Sequence, residues 1–112
     1  MSRPPKHLSE LPSLVRSWML LHNGLLVGSG AVWLAENLDV MPRDFDVIIP
    51  PDQFHDACKL LTGLPVSINS FGGIKVAGQT SIDVWSMTLE TFIKRCSGCI
   101  AVSAQPYHVV RW

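Results

Sequence analysis

Three aspartates form the pattern in this sequence that points most directly to a chemistry. Asp44 and Asp46 begin the run DFDVII, which predicts a strand, and side chains two positions apart on a strand share one face. Asp83 lies between two apolar residues in a later predicted strand and so points away from both. Clustered carboxylates repel each other unless a cation compensates them, and oxygen ligands without a nearby His or Cys favour Mg²⁺ or Mn²⁺. The three residues predict a two-metal site, in which Asp83 also helps to deprotonate an attacking hydroxyl.

A glycine turn, Gly28-Ser29-Gly30, follows a short apolar run and precedes a helical pattern. Backbone N–H groups at a helix N-terminus bind phosphate, and the Ser29 hydroxyl adds one hydrogen-bond donor. The turn therefore predicts a site for the terminal phosphates of a nucleotide, with a plain tight turn as the alternative. A dinucleotide-binding turn fits less well, because Trp33 stands where its third glycine would be and the acids precede the next apolar run.

Two cations and three tryptophans have competing interpretations. Arg43, next to the first acid, is a candidate for neutralising triphosphate charge and is included in the predicted nucleotide site, whereas Lys75 is better interpreted as a solvated cation. Trp18, Trp33 and Trp85 lie on apolar stripes, which favours core packing over base stacking.

The cysteines do not form a convincing metal-binding motif. Cys96 and Cys99 are a single pair at a predicted helix end, and Cys58 and His108 lie far away in the sequence, so a zinc site lacks a second paired motif. Reduced, partly buried thiols are the prediction, and three cysteines indicate no disulfide framework.

The elements that must position these residues alternate between helices and strands. Ser9 and Asp52 are predicted to cap the first and third helices, and Thr88 the last. The predicted helices cover residues 11–21, 31–38, 52–61 and 88–96, and the predicted strands cover residues 25–27, 44–49, 66–68, 74–76, 81–85, 101–102 and 107–110, the last two as edge strands.

Composition limits the function classes. The chain has 112 residues, 47% of them hydrophobic and 16% charged, which predicts a single domain over residues 1–112 with a flexible N-terminal arm at residues 1–8. A formal net charge of zero disfavours a double-stranded DNA binder. The longest apolar stretch falls short of the roughly 20 residues that span a bilayer, and no secretory signal is visible, so a cytoplasmic protein is expected. The high apolar content is compatible with a homodimer or a protein partner.

The turn and the acids together resemble the nucleotidyltransferase superfamily, which includes DNA polymerase β, poly(A) polymerases and tRNA CCA-adding enzymes. The signature of that superfamily looks like a glycine turn, then a spacer, then Asp-hydrophobic-Asp, and it includes a third acid on a later strand. Here thirteen residues separate Ser29-Gly30 from Asp44-Phe45-Asp46, and the tract VGSGAVWLAENLDVMPRDFDVIIP looks most like the CCA-adding and poly(A) branch. Over about residues 24–92, the resemblance implies that Ser29-Gly30 is the nucleotide-phosphate turn and that Asp44, Asp46 and Asp83 are the metal ligands.

The resemblance implies an α/β (α+β) fold of the minimal nucleotidyltransferase type, a mixed twisted sheet with helices mainly on one face and the acids on the other. The implied function is Mg²⁺- or Mn²⁺-dependent transfer of a nucleoside monophosphate from an NTP to a hydroxyl acceptor on an RNA end, a protein or a small molecule. Trp33 stands where CCA-adding enzymes often have arginine, and the sequence ends at Trp112 before a helical domain, which leaves the nucleotide and the acceptor open. The alternative is a catalytically silent binding module that acts on a protein partner as an inhibitor or antitoxin.

Overall fold

Helices and strands alternate along the part of the chain that the computed structural model describes, residues 3–112. The helices are α1 (Ser13–Leu21), α2 (Gly28–Ala35), α3 (Pro51–Ala57) and α4 (Leu89–Arg95), with short 3-10 turns at Leu8–Glu10 and Cys58–Leu61. The strands are β1 (Leu25–Val27), β2 (Asp44–Ile49), β3 (Val66–Ile68), β4 (Ile74–Val76), β5 (Ser81–Ser86), β6 (Ile100–Ala104) and β7 (Tyr107–Arg111).

The strands form one sheet in the order β3-β4-β5-β2-β1-β6-β7. The central pair, β2 and β5, is parallel, and the other neighbours are antiparallel. The mixed sheet that the sequence predicts is therefore confirmed. The prediction of β6 as an edge strand is wrong, because β6 pairs with β1 on one side and with β7 on the other. The edges are β3 and β7.

Strand alternation divides the residues of β2 between two different environments. Phe45, Val47 and Ile49 are completely buried in the main core, which they share with residues of α1, α2 and α3. The opposite face carries Asp44, Asp46 and Ile48, and Ile48 packs in a smaller cluster with residues of α4. Three of the four helices thus lie on one face, and the acids lie on the other, as the sequence predicts.

The helix ends differ in detail from the predicted caps. Ser9 lies inside a 3-10 turn, and α1 begins after Pro12, whose ring fixes a φ of −53° at the N-cap position. Asp52 lies in the first turn of α3 rather than at its cap, a position that Pro50 holds. The helix α2 ends at Ala35, earlier than predicted, and Asn37 follows with a φ of 53°. Thr88 caps α4 as predicted, and its hydroxyl accepts a hydrogen bond from Thr91 N–H at 3.1 Å.

The predicted N-terminal arm falls partly outside the described residues, which exclude positions 1 and 2. From Arg3 onward the arm contacts α2 and the loop after it. Arg3 forms an ion pair with Asp39 at 2.9 Å, and the Lys6 N–H donates to the Leu34 carbonyl at 2.8 Å. Within residues 3–112, no helix combines the length and the apolar character that crossing a membrane requires.

A disulfide joins Cys96 and Cys99, so the prediction of reduced thiols at these two positions is wrong. Helix α4 ends at Arg95, and Cys96 is extended, with φ −137° and ψ 130°. Gly98 then turns the chain back through a φ of +66°, and the two Cα atoms lie 6.3 Å apart, within the range for a disulfide. The third cysteine, Cys58, is free.

Candidate functional site

Sheet register places the acids and the glycine turn side by side. Asp46 on β2 lies directly opposite Asp83 on the parallel strand β5. On the other side of β2, Asp46 lies opposite Val27, the last residue of β1. Neighbouring strands are about 4.8 Å apart, so both carboxylates and the turn that begins at Gly28 occupy one small region of the sheet.

Lys75 on β4 connects two of the three predicted acids. It is the register partner of Asp83, and its Nζ donates to Asp83 Oδ2 at 3.2 Å. The same Nζ lies 3.8 Å from Asp44 Oδ1. The hydrogen bond to Asp83 is the main cause that raises the pKa of Lys75, and the charges of the acids add to it, so this side chain stays protonated. Lys75 is an ion-pair partner of the acids and its side chain is also 39% exposed, so its interpretation as a solvated cation is only partly correct.

Asn69 orders the loop beside Asp83. Its Nδ2 donates to Asp83 Oδ1 at 3.1 Å, and its Oδ1 accepts from the backbone N–H groups of Phe71 and Gly73 at 3.0 and 2.9 Å. Asp83 is only 6% exposed, and a buried carboxylate needs partners of this kind. Asn69 and Lys75 together therefore satisfy both of its oxygens.

Asp46 lies in a less compensated environment than Asp83. Burial is the main cause that raises its pKa, and the charges of Asp83 and Asp44 act in the same direction. A hydrogen bond opposes them, because Trp85 Nε1–H donates to Asp46 Oδ1 at 3.5 Å. The other oxygen, Oδ2, faces Gly28, where an added Cβ would lie 3.0 Å from it. The space beside Oδ2 therefore exists because residue 28 has no side chain.

The three residues of the glycine turn have three different roles. Gly28 has a φ of +70°, which L residues rarely adopt, and it begins α2. Ser29 Oγ donates to the Asp44 carbonyl at 3.4 Å and ties the turn to β2. Gly30 is buried, and a Cβ there would lie 2.5 Å from Phe45 Cδ1, so this glycine has a packing role. No side chain caps α2, which leaves its first turn without a side-chain acceptor.

The structure brings together some, but not all, of the site residues that the sequence predicts. The acids Asp44, Asp46 and Asp83 and the turn lie together, whereas Arg43 is exposed and none of the hydrogen bonds or ion pairs of residues 3–112 links its side chain to the cluster. Trp18 and Trp33 are buried, as predicted.

Trp85 packs against the smaller apolar cluster, as the core prediction expects, but it is only half-buried and its indole N–H also donates to Asp46. The sequence pattern indicated neither Asn69 nor the contacts of Lys75 as part of the site. A signal for Lys75 was present: if β4 and β5 pair as a hairpin around the turn at Gly78, Lys75 falls opposite Asp83.

The three acids carry the type of ligand atom that a divalent cation prefers, and there is free space for a cation beside Asp46. Their oxygens are the hard ligands that Mg²⁺ prefers, and Gly28 leaves room beside Asp46 Oδ2. Across residues 3–112, however, no three His, Cys, Asp or Glu side chains are gathered closely enough to hold an ion as they stand. Lys75 contacts Asp44 and Asp83, whereas Asp46 contacts Trp85 and faces Gly28. Lys75 lies 3.8 Å from Asp44 Oδ1, and the second carboxylate oxygen of Asp44 has no ion-pair contact within residues 3–112.

A cleft of about 380 Å³ opens beside Asp46. Its wall is mostly apolar and includes Gly28, Asp46, Phe71, Trp85, Met87 and Phe92. Volumes of a few hundred cubic ångströms are typical of small-molecule sites. Asp46 and Gly28 therefore border a space that is large enough for a ligand.

Comparison with known proteins gives a likeness of fold. No protein-family model matches the sequence, and no curated protein matches it. A solved structure of a CCA-adding enzyme in complex with ATP superimposes with a TM-score of 0.59 at 15% identity. The match covers 93% of this chain and 31% of the enzyme chain, so this chain spans about a third of that protein. The sheet and helices thus have a nucleotidyltransferase-like fold.

Proposed function

We propose that this protein transfers a nucleoside monophosphate from an NTP to a hydroxyl acceptor in a Mg²⁺-dependent reaction that releases pyrophosphate. One observation carries the proposal: Asp46 lies in register with Asp83 on one side and with the residue before the Gly28 turn on the other. This arrangement puts a carboxylate pair next to the N-terminus of α2, so phosphate and cation sites would adjoin. The fold likeness to a CCA-adding enzyme bound to ATP supports the same reaction class.

The triphosphate is assigned to the N-terminus of α2. The backbone N–H groups of the first turn of α2 are available to phosphate oxygens, because no side chain caps this helix. The Ser29 hydroxyl can exchange its 3.4 Å bond to the Asp44 carbonyl for a phosphate oxygen. Lys75, rather than Arg43, is the cation next to the acids and is the better candidate to contact a phosphate.

The acids take two different roles in the proposal. Asp44 and Asp46 would hold the metal, which would stabilise the charge on the attacking and leaving oxygens. Asp83 orients the acceptor hydroxyl and accepts its proton. A bond forms between the acceptor oxygen and the α-phosphorus, the bond from the α-phosphorus to the bridging oxygen breaks, and pyrophosphate carries that oxygen away. Each oxygen of Asp83 accepts one hydrogen bond, from Asn69 or from Lys75, and keeps a second lone pair with which it can accept the proton.

The second candidate function is a catalytically silent module that binds a protein partner, as an inhibitor or antitoxin would. A specific observation favours it, because Lys75 already neutralises part of the acid cluster, and the described fold satisfies Asp83 without a metal. In this case the carboxylates serve as an internal ion-pair network. Such a protein would neither bind nucleotide nor respond to Mg²⁺.

Radiolabelled nucleotides distinguish the two functions. The protein is incubated with Mg²⁺ or Mn²⁺, a host lysate or RNA as the acceptor source, and each NTP labelled at either the α- or the γ-phosphate. The transferase predicts that label from the α-phosphate becomes acceptor-bound and that label from the γ-phosphate is released as pyrophosphate. Transfer should be lost in Asp46→Asn and retained in Asp52→Asn, which changes an exposed aspartate in the first turn of α3. Equal label in both variants, or label from the γ-phosphate alone, would refute the transferase.

A further inference from the structure

We propose, on the basis of the function proposed above, that the apolar cleft beside Asp46 holds the nucleobase and that Phe71 stacks on it. The cleft shares Asp46 and Gly28 with the assigned metal and phosphate sites. A nucleotide whose phosphates lie on the N-terminus of α2 would therefore have its base within reach of this space. The base is the aromatic part of a nucleotide, and the rest of the cleft wall is mainly apolar and aromatic, which suits such a group.

Phe71 is the first element of this assignment, because it is the most exposed large apolar residue among residues 3–112 and it lines this cleft. It is 86% exposed and shares the lining of the cleft with Trp85. The loop that carries it is ordered, since Asn69 Oδ1 accepts from the N–H groups of Phe71 and Gly73. Asn69 also donates to Asp83, so the position of the aromatic ring is tied to an acid of the site.

The rest of the cleft wall is formed by residues whose positions are fixed by contacts with other parts of the protein. Trp85 donates its indole N–H to Asp46, and the backbone of Gly73 packs so closely on its ring that an added Cβ would lie 2.6 Å from Cε3. Phe92 from α4 makes an edge-to-face contact with Trp112, with ring centroids 5.8 Å apart. A planar ligand would lie between the exposed Phe71 ring and this fixed wall without a rearrangement of the core.

The chemistry of the wall indicates stacking rather than readout of base edges. The side chains around the cleft are chiefly apolar or aromatic, and beyond Asp46 the charged residue that lines it is Arg95, which only donates hydrogen bonds. Every base can stack on an aromatic ring because every base has a π-face, and a larger base stacks over a larger area. The cleft should therefore favour a purine over a pyrimidine nucleotide and discriminate weakly between adenine and guanine.

Calorimetric titration of the full chain with three ligands, each with Mg²⁺, tests this assignment: ATP, CTP and inorganic tripolyphosphate. Phe71→Ala is compared with Ile68→Ala, which removes a similarly exposed apolar side chain, 72% exposed, from the same hairpin but outside this cleft. We expect ATP to bind more tightly than CTP. Phe71→Ala should weaken ATP by about tenfold, the scale of one lost aromatic stack, and leave tripolyphosphate unchanged. Ile68→Ala should change neither ligand.

The outcomes separate the base site from the function on which it rests. If tripolyphosphate binds and ATP gains nothing over it, or if Phe71→Ala binds ATP as the wild type does, the base site is wrong while the phosphate site stands. If neither ATP nor tripolyphosphate binds, both the base site and the transferase are overturned. Melting curves of the two variants, which should match because both side chains are exposed, verify that each is folded.

Discussion

Replacing Gly28 with alanine tests the close approach between the glycine turn and Asp46. Residue 28 has a φ of +70°, and placing an L residue in this region costs about 1–2 kcal/mol. The new Cβ would also lie 3.0 Å from Asp46 Oδ2, a contact that the carboxylate can relieve only by moving. We expect Gly28→Ala to lower the free energy of unfolding by about 2 kcal/mol, which corresponds to a fall in Tm of about 10 °C.

Gly63→Ala is the matched control for the backbone part of this effect. Gly63 has a φ of +82°, and an added Cβ there would meet nothing within 4 Å. Gly63→Ala should therefore lower the free energy of unfolding by about 1 kcal/mol through the backbone alone, and it should leave the nucleotide affinity unchanged. Urea unfolding gives the two free energies, and titration with ATP and Mg²⁺ gives the two affinities.

The left-handed backbone at residue 28 and the ligand space beside Asp46 Oδ2 can be refuted separately. If Gly28→Ala unfolds at the same urea concentration as the wild type, the left-handed backbone at this turn is wrong. If Gly28→Ala is destabilised but binds ATP as Gly63→Ala does, the space beside Asp46 Oδ2 has no part in ligand binding.

Three further predictions concern the core, the acids and the disulfide. Gly30→Ala should destabilise the protein by about 1–2 kcal/mol in urea unfolding despite the better helix propensity of alanine, because its Cβ overlaps Phe45; equal stability would contradict this packing. Burial raises the pKa of Asp46, so between its unfolded and folded pKa values the native state binds more protons, and stability falls as pH rises through this window. Asp46→Asn should then raise Tm more at pH 7 than at pH 4 in the absence of metal, and an equal gain at both pH values would contradict the raised pKa. Reduction of the Cys96–Cys99 disulfide, which closes a short loop, should cost about 2 kcal/mol by loop entropy, measured as a lower Tm in dithiothreitol, and an unchanged Tm would refute this contribution.

The strand pattern was sufficient to predict the separation of the acids from the core. Alternation in DFDVII sends Phe45, Val47 and Ile49 to one face and both acids to the other, and the structure has this arrangement. The same rule places Asp83 away from its apolar neighbours, but it does not give the register between β2 and β5. That register depends on the parallel pairing of two strands that are distant in the sequence, which local pattern does not encode.

The polar partners of the acids were harder to predict. The Lys75 contact depends on hairpin register and on a long flexible side chain, and Asn69 acts from a loop whose shape its own hydrogen bonds determine. Trp85 follows an apolar stripe in the sequence and packs against the smaller cluster, but the stripe does not encode its indole contact with Asp46. The disulfide depends on the turn at Gly98, whose left-handed backbone brings back a chain that the sequence pattern treats as a helix end.

The central claim is that Asp46 and the Gly28 turn together bind a nucleotide with a divalent cation. Titration of the protein with ATP, first with Mg²⁺ and then with EDTA, tests it most directly, with Asp46→Asn and the exposed-site control Asp52→Asn measured in parallel. We expect saturable binding that requires Mg²⁺, weakens by about tenfold or more in Asp46→Asn and is unchanged in Asp52→Asn. Binding that is absent in the wild type, or that is equal in all three proteins, would contradict it.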